Sequence, residues 1–422
     1  MSDRIIESVE SPHALEQLYR GNPEAFTRDF PDAFAARPDS MALQVWHERL
    51  FFNAERNTPT PPAAISWQAW DIGLAIGLSF VAGTLMKLPH FFATMDEERF
   101  YERNLASIIL GALIISFCVQ RRMRAKAVGG ILAIFAGAVL FLNLLPDMSD
   151  SQTILLSAVH MPFLLWSLLG ITFMGGTWKS ISWRMDYVRF NGELLIYTTV
   201  ILIGGVVLYL VTYQLFLLIE LDIVWWYERN VVVYGATASP IVATLLIERV
   251  ARYRFKIAPL LARMFTPLFL LTVIAYMVAM VVNRKSPFTD RDFLISFNVL
   301  LFLVLGLSVF SITERNPNRG VGIADMMNIG LVSVTLLIDM VALAAILFRL
   351  TSYGFTPNRL AVLGVNLLVF CHLAGILYLY LQFAWKNRPI ERLDAWIAGY
   401  IPAYTVWSLI VAIGFPLALG FR

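Results

Sequence analysis

Two ionisable residues sit where such residues are expensive. Asp339 lies near the middle of the apolar run 325–350, and His372 near the middle of a second run, 360–385. A charge at the centre of a bilayer-crossing helix costs roughly 2.5–3.5 kcal/mol on insertion scales, so both side chains are expected to face protein and not lipid. The runs are joined by Thr351-Ser352-Tyr353-Gly354-Phe355-Thr356-Pro357-Asn358-Arg359, and antiparallel packing would bring Asp339 and His372 to about the same depth. One chemistry open to them is proton or ion coupling, in which a nearby imidazole accepts or returns the proton of the carboxylate. The other is structural, a polar tie between helices, for which Asn328, Asn366 and Asn298 are further candidates. Arg349 and Arg359 flank the joining turn, where they could hold an anionic group or simply extend to the interface.

His160 is the third ionisable candidate. It precedes Met161-Pro162 inside another apolar run, where a proline is expected to kink the helix and free a backbone carbonyl. Broken helices at mid-depth are where transporters bind solutes, although kinks also occur in ordinary membrane helices. Gly204-Gly205 and Pro240 mark further weak points in later runs.

Enzyme motifs are absent: there is no P-loop, HExxH, GxSxG or paired-cysteine signature. The histidines His13, His47, His90, His160 and His372 do not fall at ligand spacing, so no catalytic residue, metal or cofactor is expected. A membrane-embedded enzyme acting on a lipid or lipid-linked substrate stays open as an alternative. It would need Asp339, His372 and His160 to converge.

The elements that must position these groups follow from composition. Hydrophobic residues make up 58% and charged residues 15% of the 422, with a mean hydropathy of +0.67. Soluble domains sit near about 45–50% apolar and about 25% charged, so the chain belongs in a membrane. Apolar stretches of about 20 residues recur. They centre on Gly77, Leu113, Gly137, Phe163, Val206, Ile241, Leu271, Leu303, Leu337, Cys371 and Leu409. The expected fold is all-α, a polytopic transmembrane helical bundle of about 11 spans over residues 63–422, preceded by a short helical cytosolic segment over 1–62.

Of the 33 Lys and Arg residues, 23 fall in segments assigned to the inside when the N-terminus is cytoplasmic. This favours an inside N-terminus and an outside C-terminus, although the bias is nearly even after Arg263. Arg121, Arg122, Arg124 and Lys126 read as a stop-transfer signal, too short a run for nucleic acid, and Arg249–Arg263 as a cytoplasmic basic patch. Trp67, Trp70, Trp178, Trp183, Trp225, Trp226, Trp385 and Trp396 lie near predicted span ends, where an amphipathic ring belongs. Cys118 and Cys371 lie within apolar runs and are poor disulfide partners. Gly73 and Gly77 have the spacing for close helix contact, within this chain or in a dimer.

The N-terminal segment begins without a basic region and apolar core, so no cleavable signal is expected. Ser11-Pro12 and Asn22-Pro23 each read as an N-cap followed by proline, Gly21 as a helix end, and Leu43, Trp46 and Leu50 as one face of a further helix. Thr58-Pro59-Thr60-Pro61-Pro62 is a stiff linker. The helices are short, so they are expected to pack on one another, on the membrane part or on a partner, and ten acidic against six basic residues argue against adhesion to anionic lipid.

Two late hairpins echo each other. Ser286-Pro287-Phe288-Thr289-Asp290-Arg291 precedes the span with Asn298, and Tyr353-Gly354-Phe355-Thr356-Pro357-Asn358-Arg359 precedes the span with Asn366. With Ala258-Pro259-Leu260-Leu261-Ala262-Arg263 upstream, the second of these resembles the bacterial polytopic membrane proteins grouped as domain of unknown function 4153, which carry a Tyr-Gly-Leu-Thr-x-x-Arg turn before a late helix. Phe355 stands here for the usual leucine. The resemblance covers about residues 250–385 and implies a bacterial inner membrane location without an established activity. Tyr353, Gly354, Thr356 and Arg359 are the motif residues. A transporter or channel, a membrane scaffold or sensor working through residues 1–62, and a membrane enzyme are the function classes left open.

Overall fold

Ser11 and Asn22 start helices as their positions before proline predict: Ser11 Oγ accepts from Ala14 N at 3.3 Å and Asn22 Oδ1 from Ala25 N at 3.0 Å. In the computed structural model, residues 2–37, 39–57, 69–92, 94–148, 150–217, 221–248, 266–271, 273–275, 277–278, 291–313, 315, 320–386 and 388–421 are described. The chain divides into two units, Met1–Ser66 and Trp67–Arg422. The first holds α1 (Ser2–Glu7), α2 (Pro12–Gly21), α3 (Pro23–Ala36) and α4 (Met41–Asn57). Leu15, Phe26, Phe30, Leu43 and Trp46 close a small core of their own, to which the unforeseen α1 adds Ile5. Arg49 clamps its rim, stacking over Trp46 at 4.5 Å and bonding Glu16 at 2.8 Å. The Thr58–Pro62 linker, the Arg249–Arg263 patch with its Ala258–Arg263 motif, and the loop before Arg291 lie outside the described residues.

Among its described residues the second unit is built of helices joined by turns, with no strand. It runs through α5 (Ala69–Met86), α6 (Leu88–Phe91), α7 (Glu97–Gln120), α8 (Ala125–Leu144), α9 (Gln152–Phe173) and α10 (Ile181–Leu217). There follow α11 (Val224–Tyr227), α12 (Val233–Leu246), α13 (Thr266–Ala275), α14 (Arg291–Thr313), α15 (Ile323–Tyr353), α16 (Pro357–Lys386), α17 (Glu391–Leu409) and α18 (Phe415–Leu419). Among the described residues, eight helices are long and apolar enough to cross a bilayer: α5, α7, α8, α9, α10, α15, α16 and the run Glu391–Leu419. The expected centres Ile241, Leu271 and Leu303 fall on α12, α13 and α14. The first is a 14-residue helix prolonged by π turns at Glu228–Val232, and α13 and α14 adjoin undescribed residues. Apolar side chains such as Ile203, Val206, Val207 and Leu210 of α10 point outward. Apolar surface on that scale needs lipid as its solvent.

Small residues let large ones in. Gly83 faces the ring of Tyr234 and Gly170 that of Tyr187, and a Cβ at either glycine would overlap the ring. Gly73 and Gly77 instead meet nothing within 4 Å, so the close contact expected of their spacing is not made by the described residues. Helix α9 continues through Pro162. The last helix carries π turns at Ile410–Gly414, and Ser157 Oγ of α9 donates to Ala412 O there at 2.6 Å. Trp70, Trp178, Trp225, Trp226 and Trp385 are exposed near helix ends, as a membrane-interface belt requires, whereas Trp396 packs inward over Gly375. Arg121 does more than end an insertion signal. It pairs with Glu248 at 3.2 Å and donates to Phe173 O at 3.1 Å, joining three helical segments.

Candidate functional site

Helix α15 carries a line of buried polar side chains. Asn328, Thr335 and Asp339 are 0%, 1% and 1% exposed, and their spacings of seven and four residues put them on one face. Among the described residues, neither amide atom of Asn328, nor the hydroxyl of Thr335, nor either carboxylate oxygen of Asp339 has a hydrogen-bond partner. The facing helix α14 adds the unpartnered hydroxyl of Ser308 and Oδ1 of Asn298. On one side of this line Val332 and Leu336 pack with Val369 and Leu373 of α16. On the other, Leu331, Ala342 and Ile346 pack with Phe297 and Val304 of α14. The polar line therefore points into the seam where the three helices meet. Each unpaired polar group there costs about 1–3 kcal/mol, and an unpaired charge more, so the arrangement is maintained against stability.

Both ends of the line are polar as well. At the start of α15, Asp325 takes hydrogen bonds from Arg315 at 2.9 Å, Tyr380 at 2.7 Å and Gly322 N at 2.8 Å, while Arg315 stacks over Phe383 at 4.5 Å. At the far end a cleft of about 520 Å³ is bordered by α9, α14, α15 and the start of α16, with Asn298, Ile346, Arg349 and Arg359 in its wall. At 1.5 Å per residue, Asp325 and Arg349 are about 36 Å apart along the helix, against a hydrocarbon core of about 30 Å. The seam has the length of a membrane crossing.

The expected pairing of Asp339 with His372 is not made. His372 is buried, but it faces α17: Nδ1 meets Tyr404 Oη at 3.0 Å, the ring stacks on Tyr400 at 4.4 Å, and Nε2 has no partner. The cause is angular, because Val369, Leu373 and Ile376 occupy the α15-facing side of α16 and turn His372 toward the next helix. His160 bonds Leu156 O of its own helix at 2.9 Å and makes no hydrogen bond with either of the others. The three do not converge, and no group of three or more His, Cys, Asp or Glu side chains among the described residues could hold a metal ion. Asn366 is also turned to its own helix, donating to Val362 O at 2.8 Å, and Asn328 lies beside the Tyr380 hydroxyl without a hydrogen bond of good geometry. The helix ties come instead from Tyr400, Tyr404 and Trp396, which bond Leu368 O, His372 Nδ1 and His372 O. Their spacing of four along α17 was the available signal. Arg315 and Tyr380 carried none, because their partner Asp325 is distant in sequence or lies across a turn.

The turn motif has a structural account. Gly354 adopts φ 78° and ψ 175°, a region open essentially to glycine. Thr356 Oγ1 accepts from Arg359 N at 3.3 Å and so caps α16, with Pro357 at its first position. Arg359 Nη1 returns to the carbonyls of Tyr353 and Gly354 at 2.8 and 2.6 Å, closing the C-terminus of α15.

Fold and site together define a multi-pass helical membrane protein with an unsatisfied polar seam through one helical triplet. No family model, curated protein or solved structure matches the chain.

Proposed function

We propose that the protein is a proton- or ion-coupled carrier or channel-like protein for a small solute, working through the seam of α14, α15 and α16. The observation that carries this is Asp339, a carboxylate removed from water with both oxygens unpartnered inside a bilayer-length helix. Such a group is held there by a proton or a cation, and intramembrane acids of this kind mark ion pathways. The orientation of basic residues supports an inside N-terminus and outside C-terminus with about eleven crossings. The turn motif supports kinship with domain of unknown function 4153 and a bacterial inner membrane. The test is purified full chain in liposomes loaded with a pH-sensitive dye, with proton entry driven by a potassium diffusion potential and labelled sodium as the ion arm. Proton or sodium entry above protein-free liposomes, lost in Asp339→Asn, is the expected result. Equal flux in wild type and variant, or none above protein-free liposomes, removes the coupling role.

A second reading has one observation of its own. Unit Met1–Ser66 closes a separate core, which suits a docking body for a protein partner and a scaffold or sensor role. Deleting residues 2–57 should then leave flux intact; loss of flux in that deletion would count against this reading.

A further inference from the structure

We propose that the cleft between α9, α14, α15 and the first turn of α16 binds the phosphate group of an anionic ligand. Its volume of about 520 Å³ lies within the usual range of small-molecule sites, roughly 300–1,000 Å³. Two guanidinium groups, Arg349 and Arg359, border it, and no carboxylate appears among its described lining residues. Arg359 is pinned to the turn carbonyls through Nη1, which fixes its fork beside the cleft. Arg349 makes no hydrogen bond or ion pair among the described residues; its guanidinium carbon lies 6.0 Å from the ring centroid of Tyr353. A guanidinium left without an anion beside a polar cleft is the group that recognises phosphate, by parallel charge-assisted hydrogen bonds.

The surroundings favour negative charge on the ligand. The cleft receives the positive end of the 30-residue helix α16. Gln152 Oε1 accepts from Asn358 N at 3.3 Å, joining α9 to that helix start and leaving the amide nitrogens of both side chains as further donors. Depth selects phosphate over other anions. Tyr353 at the adjoining turn is 64% exposed, and tyrosines at the ends of membrane-crossing helices favour the headgroup level, where phosphate is concentrated. The site stands on the cleft alone and does not depend on Asp339 or on transport.

The ligand could be a phospholipid headgroup or a soluble phosphate, and two arms separate them. In the first, the full chain is released from mixed phosphatidylglycerol and phosphatidylcholine bilayers, and retained lipid is counted by native mass spectrometry. In the second, inorganic phosphate is titrated against the full chain in phosphatidylcholine nanodiscs, with thermal stabilisation as the readout. In at least one arm wild type should show preferential retention or saturable stabilisation, weakened roughly tenfold in Arg349→Gln and less in Arg349→Lys, which keeps the charge but loses the fork. Arg392→Gln, an exposed charge outside the cleft, should leave both arms unchanged. Retention lost in Arg349→Gln assigns the lipid, and stabilisation lost there assigns the soluble ion. No effect in wild type, equal behaviour of wild type and Arg349→Gln, or an equal loss in Arg392→Gln overturns the proposal. The Lys variant keeps the test valid if Arg349→Gln does not fold.

Discussion

Asp325 and Asp339 share one helix and have opposite fates. The first accepts four hydrogen bonds, two of them from its ion-pair partner Arg315, while the second accepts none among the described residues. Removing one member of a buried pair strands the other, at a cost of about 3–5 kcal/mol. Asp325→Asn should therefore lower the thermal midpoint in detergent strongly, and Tyr380→Phe, which loses one hydrogen bond to a charged group, should cost about 1.5–3 kcal/mol of stability and lower it less. Asp339→Asn should leave the midpoint unchanged or raise it; a fall as large as that of Asp325→Asn would show that Asp339 has a structural partner. Gly354→Ala places a Cβ in a glycine-only backbone region and should cost about 1–3 kcal/mol. Unfolding followed by circular dichroism measures all four.

Between elements, packing depends on glycine meeting aromatic rings. A Cβ at Gly364 would overlap the indole of Trp407, and one at Gly375 that of Trp396. Gly364→Ala should push α16 from α17 at a cost of about 1–3 kcal/mol, and Trp407→Phe in the same chain should recover part of it. Additive destabilisation of the two changes would mean that the rings do not set this spacing. In the first unit, hydrogen bonds from Arg20 and Arg49 hold the Glu16 carboxyl below its ordinary value of 4.5. Because the folded value is the lower one, the stabilisation is complete above about pH 4.5 and is lost as pH falls through the folded value. The pair is exposed, so the effect is small. A fragment of residues 1–57 should become less stable on acidification below pH 4.5, monitored by Trp46 fluorescence, and Glu16→Gln should flatten that dependence.

At the scale of the molecule, the number of crossings decides on which side each terminus lies. An odd number of crossings puts the termini on opposite sides. With Cys118 and Cys371 replaced by alanine, a cysteine at Ser2 should react with a membrane-impermeant maleimide only from the cytoplasmic side, and one at Leu419 only from the outer side. Labelling of both from one side would mean an even count. Beyond the eight bilayer-length helices, the number turns on α12, α13 and α14, of which α12 and α13 are short and α14 counts as an apolar helix over Phe297–Thr313.

The membrane class, the all-helical fold, the caps at Ser11 and Asn22 and the burial of Asp339 were legible in the sequence, because each follows from short-range chemistry: hydropathy over about twenty residues, a hydroxyl or amide before proline, and the cost of charge in lipid. The partners of the buried groups were not legible. Whether His372 faced Asp339 or Tyr404 depended on the rotation of α16, and that rotation is set by Val369, Leu373 and Ile376 packing on α15 and by Trp396 and Trp407 seated on Gly375 and Gly364. Such contacts join residues whose relative angle no local pattern records. Tertiary packing alone therefore decided that the acid stands unpaired in a seam and that two arginines border a cleft.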